Sequence, residues 1–167
     1  GAVTALTSVL DALLFRQPAG VVAPERVVRA YFHFVSPQFG AYTNSVVSFP
    51  DFTDLRQARG LTAVAAQYFG GASLGRGAEA VDVSLSGATG DYFAMLGTTP
   101  LLGRLLGPED DGAEAGTPAA VLSERLWRTR FGSDSTILGR SLRLDDQVFT
   151  VVGVAPAGFD GGEYTPP

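Results

Sequence analysis

The clearest alternation of apolar and polar positions runs from Thr117 to Phe159. Ala119-Ala120-Val121-Leu122 is a short apolar run that reads as a strand. Ser123 directly after it is a residue type whose hydroxyl accepts a hydrogen bond from an unpaired amide of a first helical turn. With Ser123 as the cap, Leu122 and Trp127 occupy the staple positions that fix the angle of strand to helix. Leu126, Trp127 and Phe131 give an apolar stripe, Arg125, Arg128 and Arg130 fall elsewhere, and Gly132 is the stop. Ile137 to Arg140 then lead into Ser141-Leu142-Arg143-Leu144, whose alternation predicts a strand with one wet face. Asp145-Asp146-Gln147 is turn chemistry. Val148 to Val154 is apolar at both parities and stops at Ala155-Pro156, so it is predicted to lie more centrally than its partner.

Upstream the pattern is less regular. Gly1 to Phe15 is apolar and helix-favouring but shorter than the ~20 residues that cross a bilayer, and Arg16 to Arg26, with Pro18, Gly20 and Pro24, reads as a linker. Val27 to Val35 is predicted as the first strand. Ser48 with Asp51 three positions on is a capping box, Val47 can staple to Phe52, and the helix they start is predicted to run to about Ala58 and end at Gly60. Leu61 to Phe69 is too short for its period to separate helix from strand. Ser73 to Ala80 reads as a hairpin tip and Ala80 to Leu85 as a strand. Thr89 is predicted to cap a helix over Gly90 to Leu96 that Gly97 ends. Leu101 to Leu106 is apolar around Gly103-Arg104, and the acidic and flexible stretch from Pro108 to Pro118 marks a subdomain boundary.

At 167 residues the chain is long enough to bury ~70% of its unfolded surface in one domain or two interlocked subdomains. The net charge of −5, with 12 scattered Lys and Arg, argues against a nucleic-acid surface, since phosphate binding needs clustered cations. The absence of cysteine removes disulfides, thiol nucleophiles and thiolate metal sites together.

Each residue that suggests chemistry has a plainer explanation. Glu109, Asp110, Asp111 and Glu114 lack the ligand spacing of a calcium loop and read as a solvated acidic turn. His33 is the single histidine, with no acid–base partner or second ligand spaced near it, and reads as a packed or edge-strand residue. Ser123 lacks a nucleophile elbow, so capping accounts for it. Gly70, Gly71, Gly75 and Gly77 form a glycine-rich turn without the helix start and Lys-Ser/Thr pair of a phosphate cradle. Leu-Gly-Arg recurs at Leu74, Leu102 and Leu138 with no supersecondary period. No residue is assigned as catalytic, cofactor-binding or metal-ligating, and no cofactor is expected.

The run Val121-Leu122-Ser123, Leu126-Trp127, Arg130-Phe131-Gly132, Leu138-Gly139-Arg140, Leu144-Asp145, Phe149 to Pro156 and Gly158-Phe159 resembles the periplasmic core domain of MacB-like ABC transporter permeases, of the MacB/FtsX type. Ser48 to Phe52, Asp91-Tyr92-Phe93, Leu96-Gly97, Pro100, Gly103-Arg104 and Glu109-Asp110 extend the resemblance over nearly the whole chain. It implies an α+β fold: a mixed α/β porter-like subdomain with a second small α+β subdomain inserted, incomplete at its C-terminal end. Residues 1–15 would be the end of a transmembrane helix and stalk, 16–26 a linker, 27–100 the first half of the porter-like subdomain, and 101–167 mainly the inserted subdomain. At the matching sites Gly103 and Gly139 are expected in special backbone geometry, with Arg104 and Arg140 paired to nearby acids. The implied role is non-enzymatic: an extracytoplasmic domain of an inner-membrane permease that transmits ATP-driven change outward, ATP being hydrolysed in a cytoplasmic subunit or domain. Its partners would be the remaining transmembrane part, a second permease copy or half, the ATP-binding subunit and a periplasmic adaptor protein. A different class remains open: a secreted, non-catalytic glycan- or peptide-binding module using Trp127, Tyr31, Phe32 and the exposed edge of Arg143's strand.

Overall fold

The computed structural model of the chain describes residues 20–112, 116–159 and Gly161. The expected membrane-proximal helix over residues 1–15 and the tail from 162 onward lie outside the described residues. The first element is a hairpin of β1 (Phe32–Ser36) and β2 (Gly40–Asn44), antiparallel from Phe32–Asn44 to Ser36–Gly40. Its turn is held by the Ser36 hydroxyl, which accepts from the amides of Gln38 and Phe39. The strand predicted from Val27 begins only at Phe32. A strand persists where a neighbour pairs with it, and β2 ends opposite Phe32. Val27 packs instead beside the core around Tyr92.

Helix α1 (Phe49–Arg56) starts where the capping box placed it: the Ser48 hydroxyl accepts from the Asp51 amide at 3.3 Å and donates to the Asp51 carboxylate at 2.6 Å. It closes at Gln57, just short of the expected Ala58, and Gly60 beyond it has φ +94°. The ambiguous stretch after it is no helix. Strand β3 (Gln67–Leu74) begins inside it and pairs antiparallel along its whole length with β4 (Val81–Ala88), from Gln67–Ala88 to Leu74–Val81.

Helix α2 (Asp91–Leu96) buries Tyr92, Phe93 and Leu96 and ends at Gly97, φ +68°. The predicted cap by Thr89 is not made. The Thr89 hydroxyl accepts from the Ala66 amide at 3.1 Å, where β3 and β4 need their last rung closed, and so is unavailable to the helix. After it come β5 (Leu102–Gly103), β6 (Ala119–Leu122), α3 (Glu124–Phe131), β7 (Ser141–Leu144) and β8 (Gln147–Val154). Ser123 caps α3 by accepting from the Leu126 amide at 3.2 Å, and Gly132 ends it at φ +61°.

Strand β8 is the centre of the second sheet, pairing with β7 and β5 antiparallel and with β6 in parallel. The sheet runs β4-β3-β7-β8-β5, with β6 also on β8. The β3–β4 hairpin joins the rest through one Cα pair, Leu74–Leu144. That rung is flanked by bonds from the Gly75 amide to the Arg143 carbonyl (3.0 Å) and from the Asp145 amide to the Ser73 carbonyl (2.9 Å). Two apolar clusters back the sheet: Tyr92, Phe93 and Leu96 with Ala155 and Phe159, and Leu122 with Ile137, Val151 and Val154. The expected apolar stripe of α3, Leu126, Trp127 and Phe131, covers the second. The α+β class expected from the sequence holds, with a sheet-dominated core.

Candidate functional site

The residues that suggested chemistry are scattered, not convergent. His33 sits on exposed β1, where its Nδ1 lies 3.1 Å from the Thr43 hydroxyl across the ladder. Ser123 is occupied as a cap. Gly70 and Gly71 lie inside β3, while Gly75 and Gly77 turn the hairpin at φ +100° and +63°. Among the described residues no three His, Cys, Asp or Glu side chains converge to hold a metal ion, and Glu114 lies outside them.

The aromatic surface of the binding-module alternative is divided as well. Trp127 packs against the Leu122–Ile137 cluster, and its indole Nε1 donates to the Asp134 carbonyl at 2.9 Å. Both its apolar body and its polar tip are thereby used inside the fold. Arg143's strand is not a free edge: β8 pairs with it along its length, and on the other side β3 meets it at Leu144 while the Gly75 amide donates to the Arg143 carbonyl. Phe32 belongs to a different place, the inner face of the β1–β2 hairpin, where Phe34 stacks on Tyr42 with ring centres 5.4 Å apart. Between that face and α1 lies an open cleft of about 410 Å³ lined by Phe32, Phe34, Val47, Asp51, Asp54, Leu55 and Ala58.

The best-defined polar cluster is one that sequence showed only in outline. Arg104, following β5, grips Asp110 with both terminal nitrogens, at 2.6 and 2.9 Å, and lies 3.3 Å from Glu109. Asp110 also accepts from the Gly107 amide at 2.9 Å. The Arg104 hydrogen bonds hold the Asp110 carboxyl below the usual carboxylate range; burial acts against them and the Gly107 amide adds to them. The same bonds raise Arg104. Asp111 turns the other way, and its Oδ1 accepts from the Gly90 amide at 2.8 Å, just before α2. The acidic turn is thus a clamp from the 104–111 loop onto α2. The arginine–acid pairing expected at Arg104 is present. Its counterpart at Arg140 reaches Asp134 only at 3.9 Å, both side chains about half exposed. Gly103 and Gly139 both take positive φ, +67° and +79°. At Gly103 a Cβ would run into the Val152 carbonyl, so both dihedral and space require glycine.

A clamp, two caps and a divided aromatic surface are scaffold features. The family model of the MacB-like periplasmic core domain matches residues 1–165. The chain belongs to that family. As a MacB-like periplasmic core domain it is an extracytoplasmic part of an ABC-type transporter permease. Two crystal structures share its fold. The periplasmic region of MacB from Actinobacillus actinomycetemcomitans superposes with a TM-score of 0.58 at 22% identity, over 68% of this chain and 52% of that one. The extracellular domain of YknZ, a noncanonic ABC-type transporter from Gram-positive bacteria, gives 0.60 at 21% identity, over 77% and 67%. The chain therefore spans about half the length of the MacB region and about two thirds of the YknZ domain. No curated protein sequence matches it. Among the described residues no helix is long and apolar enough to cross a membrane.

Proposed function

We propose that this MacB-like domain is a non-catalytic mechanical part of its permease, passing ATP-driven movement of the membrane helices to the periplasmic side for efflux or mechanotransmission. The family match over residues 1–165 carries this reading. The described residues support it by spending their reactive groups on caps, clamps and ladder contacts. Residues 1–15 would continue the first transmembrane helix as a stalk, with 16–26 as linker. Residues 27–100 would form the first half of a porter-like subdomain and 101–167 mainly a second subdomain inserted into it. ATP would be hydrolysed in a cytoplasmic subunit or domain. The working partners would be the transmembrane remainder, a second permease copy or half, that ATPase and a periplasmic adaptor protein.

The test is to lock the two periplasmic copies of the complete permease together with an engineered disulfide and compare transport before and after reduction. Transport that stops on oxidation and returns on reduction is the expected outcome. Unchanged transport in the locked state would rule out coupled motion.

A further inference from the structure

Of the five ion pairs among the described residues, four close over four to six positions of sequence; the fifth, Arg56 to Asp91 at 2.8 Å, spans 35. It ties the last turn of α1, which lines one cleft with Phe32 and Phe34 of the β1–β2 hairpin, to the first residue of α2. Arg56 is held for the task, since its guanidinium also lies over the Phe52 ring at 5.8 Å, and Phe52 is the one buried side chain of α1. The neighbouring residue, Gly90, is held by Asp111 of the clamp, whose Oδ1 accepts from the Gly90 amide. A Cβ at Gly90 would collide with the Gly107 backbone, so loop and helix meet main chain to main chain. Gly90, just before α2, and Asp91, its first residue, thus hold the post-β5 loop and the end of α1 at consecutive positions.

We propose that the start of α2 is a mechanical joint, in which Arg56–Asp91 holds the hairpin lobe and Asp111–Gly90 holds the loop, so that the two move together. The assignment of a moving domain rests on the function proposed above; the joint rests on these contacts. The Arg56–Asp91 pair is half exposed, so its removal leaves global stability nearly unchanged. What it fixes is the angle of the lobe, a quantity that a merely stabilising contact would not control.

The test uses the complete permease in nanodiscs, on a cysteine-free background, with spin labels at Gln38→Cys in the hairpin turn and Ser84→Cys on β4. The expected wild-type result is one narrow inter-label distance. Arg56→Asp and Asp91→Arg each broaden it or add a second population, the double charge swap restores one narrow peak, and Tm of each variant stays within ~2 °C of wild type. Should Arg56→Asp fail to fold, Arg56→Gln is read in its place with the same expectation. Unchanged distributions in the single variants, or no recovery in the double, overturn the joint. A wild-type distance indifferent to ATP state, with broadening still present in Arg56→Asp, would instead discard the transmission reading and leave the joint standing.

Discussion

Asp110 shows how much one carboxylate of an acidic run can be committed. Because its folded pKa lies below the unfolded value, its stabilisation is fully present above the unfolded pKa of ~4 and is lost as pH falls through the lower folded one. Asp110→Asn is expected to cost about 1–3 kcal/mol at pH 7, through loss of charge-assisted bonds. The variant should also flatten the decline of Tm as pH falls below ~4, the unfolded carboxylate pKa. An unaltered acid limb would refute the assignment. Gly153 is constrained by space, with a Cβ there aimed at the Arg104 carbonyl where β5 pairs with β8. Gly153→Ala should lower stability by about 1–3 kcal/mol in denaturant titration, in the manner of an overpacked core. Neither partner choice was legible in the sequence: the pattern gave an arginine near acids, but not that Asp110 faces back to it while Asp111 faces α2.

At the scale of elements, α3 and Thr89 mark the two limits of sequence reading. Helix α3 is legible because cap, stripe and stop are all local, within ten positions, and each contact is made as expected. Thr89 had the same local credentials, yet a distant strand end recruited its hydroxyl. Capping propensity concerns only the local alternatives, and the fold offered a third. Strand β1 was overextended for a related reason, since β propensity continues through Val27 while a pairing partner does not. Ser123→Ala should therefore destabilise by about 1 kcal/mol, measured as a lower denaturation midpoint at unchanged m. Ser48→Ala is expected to cost a similar amount at α1. A transport defect in Ser123→Ala with no stability change would point to chemistry at the hydroxyl in place of a cap.

At the scale of the molecule, the α+β class and the family were legible in the order of short motifs, and no reactive side chain was needed for either. The contact that ties the hairpin lobe to α2 was not, because 35 residues separate Arg56 from Asp91 and surface charges carry no periodic signal. The β1–β2 lobe also leaves much apolar surface open: Val35 and Phe39 are 78% and 80% exposed, and Phe49 79%. A two-stranded ribbon with one short helix is marginal alone, so this lobe is expected to lose protection first when hydrogen exchange is followed residue by residue.

The single rung Leu74–Leu144 divides the second sheet in a way that its drawn strand order conceals. Eight pairs hold β3 to β4, whereas β7 and β8 are bound into the Leu122–Val154 core. The hairpin is therefore expected to open more readily than the β6–β8 body, to which that rung, its flanking backbone bonds, the Ser73 amide on the Asp145 carboxylate (2.9 Å) and Arg130 on the Glu79 carbonyl (3.2 Å) hold it. Under limited proteolysis, cuts in the 57–66 approach to that hairpin should follow those in the β1–β2 lobe and leave the 119–154 body as the resistant fragment.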